Sequence, residues 1–524
     1  MDIHETIEDI FKRNSKRIFL VEPATGSLTY KDFFNLACHA SGMLRELGLK
    51  EGSRVGVLLN NSKEYAALYF AALFCGVAIV PINQALSKKE IHFLLENSAL
   101  DLLVFSMCTR PLVMEAGGSH KFKKVCILEG QEKTFHPEVT EIGSLDEFPD
   151  PRSTGWSPKI SADQTIAVVY TSGTTGLPKG IMHRTRTYIE AALAFNKNME
   201  FGPENRFINH WPMAYNTGWL NTLLCPFLCE GSVVIMNVYD AKTPLNFWRP
   251  VIEHKANTFW LSPTMMAALN RIDRDPVGPE YCRKFVRAVC AGTAPLPLNV
   301  KLEFEKKYGI EVFESYGVSE VLFVTMNMPR FQRREKSAGR VIDGIDLKIL
   351  NPEGKEIHGE DEGEIIVHSP WMMKQYLDFE NNNPISYKPM DSFATGDLGR
   401  RDTDGNVYIT GRKKDLIIRG GLNISPRVIE ETLLEMPSIA QAAIIGVPHD
   451  HLGEEIVAVL QFKKNFELEI ERFAILKYCR EKLSGTSVPT RLLSFDNFPV
   501  GSTGKILKRQ IKEEVLRRLA EEKS

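Results

Sequence analysis

Residues 171–180, TSGTTGLPKG, place three glycines, four hydroxyl side chains and one lysine in ten positions. Glycines let the backbone turn its N–H groups toward a ligand without interference from Cβ. Thr171, Ser172, Thr174 and Thr175 add hydroxyl donors, and Lys179 adds a positive charge. The preceding TIAVVY (165–170) is β-branched and apolar, which is the pattern of a buried strand. A strand running into such a loop is suited to holding phosphate. It is not a Walker loop, because Pro178 rather than glycine precedes Lys179 and Gly180 follows it. Gly173 and Gly176 are spaced wrongly for a dinucleotide fingerprint. A second glycine-rich stretch, GSTGKIL (501–507), fails the Walker pattern too, with Pro499 in place of its first glycine and Ile506 after Lys505.

The elements that must position these residues follow from composition and patterning. A chain of 524 residues exceeds one ordinary domain and buries a large core. Its hydrophobic content of 43% and charged content of 25% are ordinary for a globular protein, and a net charge of −2 supplies no attraction to nucleic acid or acidic membrane. Nine scattered cysteines, with Cys225 and Cys229 lacking the partners of a zinc set, read as reduced thiols of a cytoplasmic protein. The charged N-terminus lacks a signal-peptide core. The uncharged run 65–82 is broken by Gly76 and Pro81, so it reads as a buried helix, a glycine stop and a buried strand rather than a membrane span.

Helical and strand patterns alternate over the first four hundred or so residues, which argues an α/β protein with helices covering sheets. Strand patterns at 346–350, 363–369 and 406–410 lie between turn signals with no helix among them, which predicts an antiparallel, barrel-like patch. Beyond GRKKDLIIRGGLNISP (411–426) comes a small alternating unit: helix 428–436, strands 440–447 and 454–462, helix 469–483, strand 491–498 and a terminal helix 506–522. The change of pattern places a domain boundary at 413–415, giving domains 1–413 and 414–524.

Further segments complete the constellation. AGTAPLP (291–297), ESYGVSE (314–320), ATGDLGR (394–400), GRKKDLIIRGGLNISP and PVGSTGKILKRQI (499–511) follow TSGTTGLPKG in that order. Together they resemble the adenylate-forming superfamily of acyl- and aryl-CoA synthetases, amino-acid adenylation domains and luciferases, over essentially the whole chain. The motif GRKKDLII-x-GG-x-NISP is most similar to medium- and long-chain or carnitine-type acyl-CoA ligases. The resemblance implies a large N-terminal domain of α/β sheets with a small β-barrel-like subdomain, and a small mobile α+β C-terminal domain. It also implies two half-reactions: a carboxylate and ATP give acyl-AMP and pyrophosphate, and coenzyme A then takes the acyl group as a thioester. ATP, Mg²⁺ and CoA are the expected ligands.

The resemblance assigns roles residue by residue. Thr171, Ser172, Gly173, Thr174, Thr175, Gly176 and Lys179 hold phosphate. Thr174 and Glu320 are the Mg²⁺ positions, hard oxygen donors suited to that ion. Tyr316 offers a face to adenine, with Gly292, Thr293 and Ala294 on the other side and Glu314, Ser315 and Gly317 beside it. Ser319 donates to the α-phosphate. Asp397 accepts from the ribose hydroxyls, with Arg412 as a second ribose contact. Lys505 swings in from the small domain and stabilises charge at the α-phosphorus. Lys414 is the hinge, and Gly421 lines the pantetheine tunnel.

The chain departs from the family pattern in places. In WPMAYNTGW (211–219), Tyr215 stands where CoA ligases often carry His or another aromatic, and it is expected to gate the carboxylate. Asn216 is neutral where amino-acid-adenylating relatives carry Asp, which disfavours an α-amino acid. Gln375 replaces the usual glycine before Tyr376, and LSGTSVP (483–489) lacks the customary Lys-Tyr. Acyl-pocket residues are expected from 210–222, 259–265, 290–297 and 316–325, stretches rich in Trp, Met, Ala and Leu that suggest an apolar acyl or aryl group. A separate acyl carrier protein as acceptor, a non-catalytic nucleotide sensor and a homodimer are the open alternatives.

Overall fold

The computed structural model describes residues 2–116, 122–127, 139–172, 178–377, 392–500 and 506–521. Two large sheets of nine and eight strands carry the main body. One continuous core runs through both, and Phe70 packs against Phe33 and Phe227 at ring-centroid distances of 5.1 and 4.9 Å. The uncharged run divides as its glycine requires. Helix Lys63–Cys75 starts on the Ser62 cap and ends at Gly76, whose φ of +69° lies in the left-handed region, and the buried strand Ala78–Pro81 follows. Among the described residues no helix is long and apolar enough to cross a membrane.

In the nine-stranded sheet, Arg206–Asn209, Thr258–Leu261, Ala288–Ala291 and Val312–Val318 run parallel, side by side. AGTAPLP and ESYGVSE therefore stand at the C-terminal ends of neighbouring parallel strands, where open α/β sheets hold their ligands. In the eight-stranded sheet, Thr165–Ser172 lies parallel to Ala78–Pro81 and then pairs antiparallel with Pro178–Arg184. The two-residue strand Gln375–Tyr376 closes that edge, with Gln375 opposite Met182 and Tyr376 opposite Ile181.

A third sheet is antiparallel and has four strands: Asp346–Leu350, Gly359–His368, Phe393–Arg401 and Val407–Arg412. Its own core contains Leu347, Ile349, Ile365, Val367 and Val407. The strand Phe393–Arg401 was not legible as one. ATGDLGR is poor in β-formers, and its place between two longer strands overrides that propensity. From Ile417 onward the chain builds a separate five-stranded sheet with helices Pro426–Leu434, Leu468–Lys482 and Lys508–Glu521. Apolar clusters cover both its faces, one around Ile429, Ile456 and Ile475 and the other around Val457, Phe495 and Ile511.

Candidate active site

The phosphate-loop candidate sits in the hairpin between Thr165–Ser172 and Pro178–Arg184, where Thr171 pairs with Lys179. Gly173, Thr174, Thr175 and Gly176 lie outside the described residues. The Lys179 ammonium stands 5.5 Å from the centre of the Tyr376 ring. The Tyr376 hydroxyl donates to Glu320 Oε1 at 2.9 Å. Tyr376 thus joins two expected site residues, and sequence reading did not place it in the site. The neighbouring departure also has an account: the Gln375 amide rests on the Met182 sulfur at 3.6 Å, within the strand pairing that carries Tyr376 into position.

Glu320 is aimed by its turn. Strands Val312–Val318 and Leu322–Met326 form a hairpin in which Val318 pairs with Leu322, and the Val321 N–H closes the tip on Val318 O at 3.1 Å. Leu322, the first residue after the turn, takes φ of +56°, in the left-handed region that glycine normally fills. Gly317 is required across from it, because a Cβ there would stand 1.9 Å from the Leu322 carbonyl oxygen. The His183 Nε2–H donates to Ser319 O at 2.8 Å, and the Met373 N–H donates to Glu320 O at 2.7 Å. The loop that presents Ser319 and Glu320 is therefore held from two sides.

His183 is fully buried, and burial lowers its pKa to about 4, so its ring is neutral. His210, packed among Trp211, Tyr239 and Phe247, is likewise lowered by burial to about 3. Unfolding returns both to the ordinary value of 6.5. The unfolded chain then binds more protons below that value, and folded stability falls as pH drops from about 6.5 toward about 4. Thermal midpoints should fall more steeply across that window in wild type than in His210→Phe. Parallel curves would show that His210 contributes nothing to the acid sensitivity.

The ribose candidates meet across the four-stranded sheet. Asp397 and Arg412 are register partners, and Arg412 Nε donates to Asp397 Oδ1 at 2.7 Å. The Tyr316 hydroxyl donates to Asp397 Oδ2, also at 2.7 Å. Asp397 is only 2% exposed, so its carboxylate is fixed by these two donors and by its backbone. Burial, and then the Asp397 charge, push the Tyr316 phenol well above its ordinary range, which keeps it a donor.

Beyond strand Ala288–Ala291, Gly292 is closely packed, since a Cβ there would lie 3.1 Å from Ser315 Oγ. Thr293 takes φ of +72° and Ala294 is half-buried. Ser315 Oγ donates to Ala291 O at 3.3 Å. The Glu314 carboxylate is held by the buried Lys301 ammonium at 2.7 Å; burial raises its pKa and Lys301 offsets part of the rise. Tyr215 and Asn216 lead into a π-helix, Thr217–Leu224, a form that is rare and recurs at functional sites. The Asn216 side-chain oxygen accepts from the buried Tyr188 hydroxyl at 2.7 Å.

Lys414 is exposed within a single 3₁₀ turn, Lys413–Asp415, between the four-stranded sheet and the C-terminal one. Gly420 and Gly421 have φ of +58° and +81° and form the two-residue turn between Ile417–Arg419 and Leu422–Ile424. Gly421 is exposed, and no atom lies within 4 Å of where its Cβ would be, so conformation and not space requires glycine there. Lys505 lies outside the described residues, although its flanks are joined by a Val500–Ile506 bridge. The LSGTSVP loop, for all its missing Lys-Tyr, is tied down by Arg419 donating to Thr486 O at 2.6 Å.

The AMP-binding enzyme family matches residues 7–377, and the AMP-binding enzyme C-terminal domain matches residues 428–505. The chain belongs to the AMP-binding enzyme family. Its relatives include the sulfoacetate–CoA ligase of Cupriavidus necator, 29% identical over 93% of each chain. The 2-succinylbenzoate–CoA ligase of Bacillus licheniformis is also 29% identical, over 92% of this chain and 94% of that one. Among solved structures, ATP-bound MatB from Rhodopseudomonas palustris superposes with a TM-score of 0.84 at 25% identity, covering 97% of this chain and 98% of the other. The α/β main body and separate C-terminal sheet of this AMP-binding enzyme match the architecture of that structure.

Proposed function

We propose that this AMP-binding enzyme is an AMP-forming carboxylate–CoA ligase. It activates a carboxylic acid as acyl-AMP with release of pyrophosphate, then transfers the acyl group to the CoA thiol. The observation that carries the reading is the Asp397 clamp. A buried carboxylate, fixed by Tyr316 on one oxygen and Arg412 on the other, keeps lone pairs for the two hydroxyls of a ribose. In this reading adenine lies on Tyr316 beside Gly292, Thr293 and Ala294. The phosphates face Thr171, Lys179 and Ser319. The domains meet at Lys414, with 1–413 holding the nucleotide and 414–524 delivering Lys505 or Gly421 in turn.

The Mg²⁺ reading passes a test of donor chemistry. Glu320 is a half-buried carboxylate with one oxygen steadied by Tyr376, which leaves a hard oxygen for an ion that keeps several waters. Mg²⁺ bound there would neutralise phosphate charge. The work of Glu320, Tyr376 and His183 is to hold that oxygen in place.

Carboxylate-dependent exchange of pyrophosphate into ATP, followed by thioester detection with CoA, tests the function directly. Absence of exchange with every acid in a broad panel would overturn it. Asp397→Asn should raise the KM for ATP by about 10- to 100-fold, the weight of hydrogen bonds to a charged group, with the Mg²⁺ dependence unchanged. Glu320→Gln should do the reverse and shift the Mg²⁺ requirement upward. A Mg²⁺ titration identical to wild type would remove Glu320 from the metal site.

A further inference from the structure

Besides the two ring nitrogens of His210, three buried polar atoms near the C-terminal ends of the parallel strands have no hydrogen-bond partner: Nε1–H of Trp260, Nε1–H of Trp219 and Oδ1 of Asn209. The residues are 1%, 2% and 0% exposed. Strand register gathers two of them. Phe207 pairs with Thr258, so Asn209 and Trp260, each two residues further on, share one level and one face. Trp260 pairs in turn with Cys290, beside the strand end that leads to Gly292. The indole nitrogen of Trp260 lies 3.5 Å from where a Cβ on Gly292 would stand, and Ser315 Oγ lies 3.1 Å from the same point. This donor therefore reaches the residues that flank the proposed nucleotide site. The third atom is tied in through Asn209, whose Nδ2 donates to Gly218 O at 2.9 Å, one residue before Trp219.

None of these rings can turn away. Trp260 is packed on Phe195 and Phe323 at centroid distances of 5.0 and 6.0 Å. Trp219 is stacked on Tyr69 at 4.0 Å with an interplanar angle of 6°. An unpaired buried donor is destabilising, and a purely alkyl acyl chain would leave these groups unpaired. A distal carboxylate or sulfonate would need a cation. Segments 210–222, 259–265, 290–297 and 316–325 contain no lysine or arginine, and burial keeps their one histidine, His210, neutral. Among the described residues, the only buried lysine or arginine is Lys301, held by Glu314 at 2.7 Å.

We infer that the acid activated here carries a neutral oxygen substituent in addition to its reacting carboxylate, and that the Trp260 Nε1–H selects it. A hydroxyl fits best, because it accepts from an indole N–H and can donate to an acceptor such as Asn209 Oδ1. A ketone or ether oxygen shares the accepting chemistry. The inference rests on the ligase reading above and narrows its substrate class.

The test measures kcat/KM for pyrophosphate exchange and for thioester formation over matched acids, aliphatic and aryl. Each set contains the unsubstituted acid, its hydroxy and keto analogues and its distal carboxylate, assayed with wild type and with Trp260→Phe. Wild type should prefer a neutral oxygen-bearing acid over its unsubstituted match by at least about 10²-fold, as sites built to bond a substrate hydroxyl do. Trp260→Phe should cut that ratio by about tenfold or more while leaving the KM for ATP in place. A wild-type preference for unsubstituted or dianionic acids overturns the inference. So does an equal loss for both members of a pair, which would assign the N–H to the reacting carboxylate. If Trp260→Phe does not fold, the wild-type ratios and Trp219→Phe decide the matter. No exchange with any acid defeats the ligase reading itself, whereas exchange with the wrong class defeats only this inference.

Discussion

Lys505→Ala should slow acyl-AMP formation by about 10²- to 10⁴-fold, the range for removing a positioned charge stabiliser from phosphoryl chemistry. The expectation rests on the Pro499–Lys505 segment, PVGSTGK, which puts a lysine at the end of a glycine-, serine- and threonine-rich stretch. The residues before and after it are joined by the Val500–Ile506 bridge and by the Leu507 N–H donating to Pro499 O at 2.9 Å, which ties the two ends of the segment together. Thioester formation from supplied acyl-AMP should persist in the variant, because that step does not displace pyrophosphate. Single-turnover measurement of each half-reaction separates them. Equal loss in both would mean that Lys505 is not the adenylation lysine.

Lys414→Pro should keep pyrophosphate exchange and lose most thioester formation. The 3₁₀ turn Lys413–Asp415 holds its residues near a φ of about −50 to −70°, which suits proline. The substitution therefore fixes the turn as described. In that arrangement the Gly420–Gly421 turn is exposed and its neighbours Ile418 and Leu422 are 55% and 51% exposed, so the hairpin is withdrawn from the main body. The small domain is held there by Ser425 Oγ donating to Thr410 O at 2.8 Å, by Asn299 Nδ2 donating to Leu434 O at 3.0 Å and by a Lys336–Glu435 ion pair at 3.4 Å. In the proposed reading, CoA delivery past Gly421 would break those contacts and turn the backbone near 414, the kind of gating step that limits turnover. The thermal midpoint should change little, since Lys414 is exposed. Both activities at wild-type rates would place the hinge elsewhere.

The sequence by itself determined the residue types of the candidate site and the local turns that carry them. Gly76 ends a helix, Gly420–Gly421 makes a two-residue turn, and strand-to-loop transitions follow from apolar runs meeting glycine, because φ > 0 and chain periodicity are local properties. Only the tertiary structure decided which atoms meet. Tyr376 reaches Glu320 across 56 residues, Tyr316 reaches Asp397 across 81, and His183 reaches Ser319 across 136. No local propensity encodes such pairs. They depend on which strands become neighbours and in which register, and a shift of one residue would turn each side chain to the opposite face. The same register sets Trp260 level with Asn209 and Cys290 and leaves its N–H unpaired, although in sequence it is one more tryptophan in an apolar run.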